Sequence, residues 1–307
     1  HAILYKNDLH RGIGLIIIDE QHRFGVSQRF ELIKKATVHK ITPHVLTVSA
    51  TPIPRSLALI LHGSLDLSVI DELPKGRIPV ITRLITDSVR IKAYEWLGRQ
   101  ISTSGMQIFV VCPLIDDSET DKSAELKSVS SAYEELKKAF PTRSIEIIHS
   151  KLKNQQEIIE KFRNRTIDIL VATTVVEVGV DIPNATCMVV ENADRFGLAQ
   201  LHQLRGRVGR GSQQSYCLLF SNNYSEVARR RLTAMTEITN GFKLAELDLE
   251  IRGPGVLLGT TQHGFDSLVM PHLFNAPLLK RISEIADLLL AKNGESSYTT
   301  IVPLYLN

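Results

Sequence analysis

An α/β fold, with mostly parallel sheets flanked by helices, is predicted by three features of the sequence. The run Leu15-Ile16-Ile17-Ile18 reads as a buried strand and ends in two adjacent carboxylates, Asp19 and Glu20. From Val80 onward, short apolar runs alternate with longer helical patterns, the order expected of parallel strands joined by helical crossovers. Prolines and glycines punctuate the series, most densely at Leu73-Pro74-Lys75-Gly76-Arg77-Ile78-Pro79.

In chain order, the pattern predicts a strand over 15–19, a helix over 26–35, a strand over 45–49 stopped by Pro52 and Pro54, and a helix over 56–61. The turn residues at 73–79 then set a boundary, so that 1–76 form a first unit. A second unit, 77–223, opens with a strand at 80–85 and a helix at 88–101, followed by a strand at 107–112, a polar loop at 116–123 and a helix at 124–139. It continues with a strand at 145–149, a helix at 154–162 and strands at 167–172, 186–190 and 215–220. After Tyr224 the periodicity changes. Val227, Leu232, Met235 and Ile238 give an apolar side to a helix that also carries Arg229, Arg230 and Arg231. The remainder of 224–307 is a smaller element in which Arg252-Gly253-Pro254-Gly255 and the stretch 259–264 interrupt regular structure, before a terminal helix over 277–290 with Pro277 in its first turn.

With 307 residues and 43% hydrophobic content, the chain can bury more than one core. A net charge of +3 does not by itself establish a nucleic-acid partner, although local arginine clusters can still form a basic track. Cys112, Cys187 and Cys217 fall singly in apolar segments without CxxC spacing, which reads as buried thiols in a reducing compartment. No apolar run approaches the roughly 20 residues that cross a bilayer, and the first residues lack the pattern of a signal peptide. A cytoplasmic location with no membrane partner is expected. His10, His39, His44, His62, His149 and His202 show no metal-ligand spacing.

Several segments carry residues suited to phosphate chemistry. Asp19 can hold Mg²⁺, directly or through water, while Glu20 can orient or deprotonate a water that attacks a γ-phosphate; a strand simply entering a turn is the alternative. Gln21 and His22 can link that acidic edge to a facing domain. Ser49 and Thr51 lie just beyond an apolar strand, where they can sense nucleotide state or merely end the strand. Beyond the strand at 167–172, Thr173 and Thr174 can contact a nucleic-acid phosphate, Gly179 permits a close backbone approach, and Asp181 can bind a ribose or orient an arginine; a cap and turn is the competing account. In Gln203-Leu204-Arg205-Gly206-Arg207-Val208-Gly209-Arg210-Gly211, a helical start would put Arg207 and Arg210 on one face toward a polyphosphate, with Gln203 as a reader of the nucleotide; a solvated charge run is the alternative.

Together these segments resemble motifs II, III, V and VI of a superfamily 2 helicase. More narrowly, Asp19-Glu20-Gln21-His22-Arg23-Phe24-Gly25-Val26, Ser49-Ala50-Thr51-Pro52-Ile53-Pro54-Arg55 and 203–211 resemble the RecG branch-migration helicase family. The stretches 241–249, 252–255 and 259–264 extend the resemblance almost to the end of the chain. The resemblance implies a RecA-like helicase motor with Asp19 and Glu20 in Mg²⁺-dependent ATP hydrolysis, Asp19 meeting the metal through ATP. It places Gln21, His22, Ser49 and Thr51 in coupling, Gln203, Arg207 and Arg210 in the nucleotide cleft, and Thr173, Thr174, Glu177, Gly179 and Asp181 in the loop linking DNA contact to nucleotide state. Arg229, Arg252 and Gln262 match a helical hairpin and following loop that move duplex DNA. ATP and Mg²⁺ are the implied cofactors. Branched or duplex DNA is the implied partner, along with replication-fork proteins, and the setting is a monomer in the bacterial cytoplasm, at the nucleoid during repair.

The front of the chain departs from the family pattern. No GxxxxGK[ST] phosphate loop occurs in these residues, and His1-Ala2-Ile3 resembles the tail of an upstream DNA-contacting motif. The expectation is therefore a truncated first motor domain without the family's wedge domain, a complete second motor domain, and no appreciable ATPase from the chain alone. A transcription-repair coupling translocase and a non-catalytic DNA-binding or regulatory module are the alternatives. Gln21 and the C-terminal match favour the branch-migration reading over the first of them.

Overall fold

The computed structural model describes residues 13–20, 25–37, 41–49, 68–70, 72, 74, 76–113, 122–149, 152–173, 185–252, 281 and 285. The chain divides into two compact units, 1–52 and 53–307. The expected helix at 56–61 and most of the expected terminal helix lie outside the described residues, although the backbone is helical at Arg281 and Ile285.

In the first unit, β1 (Leu15–Ile18) pairs in parallel with β2 (His44–Thr47), and α1 (Val26–Ala36) connects them. Alternation along β1 turns Ile16 and Ile18 inward, where they pack with Ala36, Leu32, Ile33 and Val45. This is the short parallel β-α-β unit that the apolar runs predict.

The second unit contains β3 (Ile81–Ile85), α2 (Asp87–Ser104), β4 (Gln107–Cys112), α3 (Lys122–Ala139), β5 (Ile145–Ile148), α4 (Gln155–Arg163), β6 (Ile169–Thr173), β7 (Ala185–Val190), α5 (Leu198–Arg205), β8 (Tyr216–Phe220), α6 (Glu226–Glu237) and α7 (Gly241–Arg252). Six of these strands form one parallel sheet in the order β3-β8-β7-β4-β6-β5. Every residue of β4, β6 and β7 is buried, as expected of central strands covered on both faces.

The two faces have separate cores. Ile108, Val110 and Cys112 of β4 meet Ala93, Leu97 and Ile101 of α2 and Val129 and Leu136 of α3. Phe109 and Val111 point the other way, toward Ile158 and Phe162 of α4, Leu198, Leu201 and Leu204 of α5, Leu232 and Met235 of α6, and Leu244 of α7. The period-two alternation of one strand thus assigns its neighbours to opposite layers. Cys112, Cys187 and Cys217 are free and buried within this arrangement, as expected, and burial pushes the Cys112 thiol up to about 12.

Two expectations change. A helical start was expected at 203–211, but α5 begins at Leu198 and ends at Arg205, so Arg207 and Arg210 lie on the turn that follows rather than on a helix face. The cause is local: Leu198, Leu201 and Leu204 form the buried stripe, Gly206 N–H closes the last turn on His202 O, and Gly209 takes φ +75°, which a helix does not allow. Val227, expected on the apolar side of the following helix, is 57% exposed, and Ala228, Leu232 and Met235 form the buried stripe instead.

Candidate functional site

Asp19 and Glu20 follow β1 directly. Ile18 pairs with Thr47, and Val48 N–H donates to Ile18 O over 2.8 Å, so the parallel register brings Ser49 to the same carboxyl edge as the two acids. Asp19 is exposed and Glu20 half-buried. Glu20 adopts φ +50°, and its N–H donates to Asp19 Oδ1 over 2.8 Å. A non-glycine residue in that region carries strain of about 1–2 kcal/mol, of the kind that persists where a sharp turn serves a site. An exposed carboxylate at a strand's carboxyl edge is a hard oxygen ligand suited to Mg²⁺. Among the described residues no three His, Cys, Asp or Glu side chains form a group that could hold a metal ion. Gln21, His22 and Thr51 lie outside the described residues.

In the second unit, Thr173 ends β6 opposite Cys112 and is fully buried. Thr174, Glu177, Gly179 and Asp181 lie outside the described residues. Gln203 is half-buried on α5. The turn after α5 is fixed from several sides. Arg207 N–H donates to Leu204 O over 3.0 Å, Val208 is buried, and Arg77 Nε donates to Gly209 O over 3.2 Å. A Cβ on Gly209 would come within 2.7 Å of Val80 Cγ2, so only glycine fits this approach. Arg207 is half-buried and Arg210 exposed, with Arg210 Nε placed 3.5 Å from Gly206 O. Gly209 abuts Val80 and Ser215, which precede β3 and β8, so the arginine turn lies at the amino edge of the sheet. Thr173 lies at the carboxyl edge, and the fold does not bring the two together.

Arg205, which the sequence reading passed over, is 6% exposed. Its guanidinium donates to Met235 O (3.0 Å), Ile238 O (2.9 Å) and Thr239 O (3.0 Å), satisfying carbonyls at the C-terminus of α6, where a cation also complements the helix dipole. It also donates to His202 Nδ1 over 2.8 Å, which fixes the imidazole as neutral with its proton on Nε2. Burial, then Arg205 and Arg77, push His202 down to about 4. Gly241 starts α7 against this ring, where a Cβ would meet Nε2 at 2.7 Å. The arginine turn is therefore continuous with the α6–α7 hairpin, and α5 packs on both of its helices.

Within the hairpin, Arg229 is exposed. Arg231 is the arginine that ties α6 inward: it donates to Phe196 O, and its Nε lies 3.7 Å from Asp248 Oδ1 of α7. A signal for it was present, because Arg231 falls in the stripe Ala228, Leu232, Met235 at helical spacing. Arg252 is the last residue of α7, and Gln262 lies outside the described residues. A further cluster not anticipated from sequence joins α2 to the end of β7. Arg90 donates to both Glu191 oxygens (3.1 and 2.8 Å), to Tyr94 Oη (2.6 Å) and to Glu135 (3.0 Å), and its guanidinium lies 4.7 Å from the Phe220 ring centre. Burial works against the Arg90 charge, but the bidentate bond to Glu191 outweighs it and holds the guanidinium protonated.

Known proteins match this arrangement. The helicase conserved C-terminal domain family matches residues 92–212. The ATP-dependent DNA helicase RecG of Synechocystis is 48% identical over 89% of this chain, which spans 32% of that protein. The RecG of Aquifex aeolicus is 40% identical over 98% of the chain, which spans 40% of it. Among solved structures, RecG bound to a three-way DNA junction superposes with a TM-score of 0.65 at 42% identity, covering 89% of this chain and 33% of its own. Mss116p, at 19% identity and a TM-score of 0.55 over 81% of this chain and 53% of its own, shares the fold alone. The parallel sheet with helices on both faces is thus the RecA-like fold of helicase motors, and the chain belongs to the RecG family, of whose members it spans well under half the length.

Proposed function

We propose that this chain is the part of an ATP-dependent DNA helicase that completes nucleotide hydrolysis and converts it into movement on branched DNA, such as stalled forks and four-way junctions. One observation carries the reading. The turn bearing Arg207 and Arg210 runs directly from Arg205, whose side chain caps the first helix of a C-terminal hairpin, so a nucleotide-responsive turn and a moving element share one segment. Asp19 meets the cation that accompanies ATP, and Glu20 positions the attacking water. Magnesium, when bound with ATP, draws charge off the phosphates. Arg207 and Arg210 donate to the transferring phosphoryl group as its charge develops. Closure of two motor domains then moves the hairpin, with Thr173 and the residues after it, including Thr174, Glu177, Gly179 and Asp181, relaying contact with the DNA backbone. Arg252 and Gln262 belong to the segment that engages duplex DNA. The protein works as a monomer in the bacterial cytoplasm, on DNA and alongside replication-fork proteins. No helix among the described residues is long and apolar enough to cross a membrane.

The test compares ATP hydrolysis and strand separation by the full-length protein on a synthetic junction and on linear duplex of equal length, at fixed salt because phosphate contacts are salt-dependent. Preference for the junction with unwinding supports the proposal. Equal stimulation by linear duplex without unwinding would instead favour a translocase of the transcription-coupled kind. These 307 residues contain both acids and both arginines but no GxxxxGK[ST], so the chain alone is expected to show no DNA-stimulated ATPase, and robust turnover by it would contradict the assignment.

A further inference from the structure

A relay of hydrogen bonds joins the 3₁₀ turn Ala193–Arg195, just past β7, to the first turn of α6. Asp194 Oδ1 accepts from Ser221 Oγ over 2.6 Å, and Asp194 Oδ2 accepts from Asn223 Nδ2 over 3.2 Å. Ser221 Oγ in turn accepts from Asn223 N–H at 3.2 Å, and Asn223 Oδ1 accepts from Ser225 N–H at 3.0 Å. Ser225 Oγ then caps α6 by accepting from Ala228 N–H at 3.3 Å. None of these residues belongs to the acidic edge or the arginine turn.

The consequence is mechanical. Asp194, through this relay, fastens the N-terminus of α6; Arg231 on Phe196 O fastens its middle; Arg205 fastens its C-terminus. All three attachments start on the one stretch between β7 and Arg207. A helix held along its whole length by one segment must follow that segment, whereas a helix loose at its N-terminus can lag behind it.

We propose that Asp194 is a positioning residue that makes the first hairpin helix move as one body with the turn carrying Arg207 and Arg210. On the motor reading above, on which this rests, its loss lets hydrolysis proceed while part of the motion slips. Asp194 touches no substrate in this scheme and acts only through Ser221, Asn223 and the cap of α6.

The experiment uses the full-length protein with Asp194→Ala, Asp194→Asn and Ser221→Ala. It measures base pairs separated per ATP on a three-way junction, KM for ATP, and hydrogen exchange at the Ser225 and Ala228 amides. Asp194→Ala and Ser221→Ala should lower base pairs per ATP about threefold with KM unchanged and should speed exchange at both amides. Asp194→Asn should recover part of the ratio, because its amide oxygen still accepts from Ser221 while its NH2 group cannot accept from Asn223 Nδ2. Hydrolysis and unwinding that fall in parallel, or an unchanged ratio despite faster exchange, would overturn the positioning role. A wild-type protein that unwinds no junction would defeat the motor reading and this role together. That outcome shows in the wild type before any variant is compared.

Discussion

Gly209 holds the arginine turn in a conformation that a side chain opposes twice, through its φ of +75° and through the 2.7 Å approach to Val80 Cγ2. Gly209→Ala is expected to destabilise the second unit by about 1–3 kcal/mol, read as a lower urea midpoint at unchanged slope. An unmoved midpoint would mean that the turn relaxes around the methyl group. His202 gives a residue-scale prediction of a different kind. Its imidazole is pushed down to about 4 from an ordinary 6.5, so the unfolded chain takes up a proton there at a higher pH than the folded one. The stability linked to neutral His202 is complete above pH 6.5 and is lost progressively as the pH falls toward 4. His202→Gln removes the titration and should flatten that part of the stability curve, measured by urea midpoints across the interval. A decline as steep as the wild type's would assign the proton uptake to another group.

The helices show where a pattern of apolar residues is a sufficient guide and where it is not. For β4 the expected span 107–112 coincides with Gln107–Cys112, because a central parallel strand is apolar on both faces and nothing competes with that signal. α5 is different. Its buried stripe is Leu198, Leu201, Leu204 and then Arg205, and a reading that treats arginine as a surface residue misses the last member of that stripe. The same substitution of arginine for an apolar residue hides Arg231 in α6 and makes exposed Val227 look like core. Arg205 is buried and Arg231 half-buried because each meets backbone carbonyls, at a helix end or in a loop, that apolar periodicity does not reveal. That reason can be measured. Arg205→Lys keeps the charge but replaces a planar fork with a point donor, leaving buried carbonyls of α6 without a partner at a cost of about 3 kcal/mol. Arg229→Ala, at an exposed position of the same helix, should stay within about 0.5 kcal/mol. Equal effects of the two substitutions would remove Arg205 as the cap of α6.

For the molecule as a whole, the acids belong to one compact unit and the arginines to the other, so the joint action proposed for them is a claim that neither unit can carry by itself. Sequence made each half legible separately: two carboxylates after an apolar run, and glycines spacing two arginines, are local patterns. The link between Asp19 and Arg207 spans most of the chain and leaves no periodic trace, and it was reached only through family resemblance. A double-substitution cycle in the full-length protein tests it. On the proposed reading, Glu20→Gln preserves shape and removes the water-positioning group, so kcat should fall by about 10²–10⁴ while ATP binding changes little. On the same reading, Arg210→Ala removes a donor to the developing charge and should lower kcat by about 10³. If both act as one unit, each depending on the other, the double variant should be scarcely slower than the worse single one, because once either part is missing the other has little left to stabilise. Fully multiplicative losses would mean that the acidic edge and the arginine turn contribute independently, and their action as one unit would have to be abandoned.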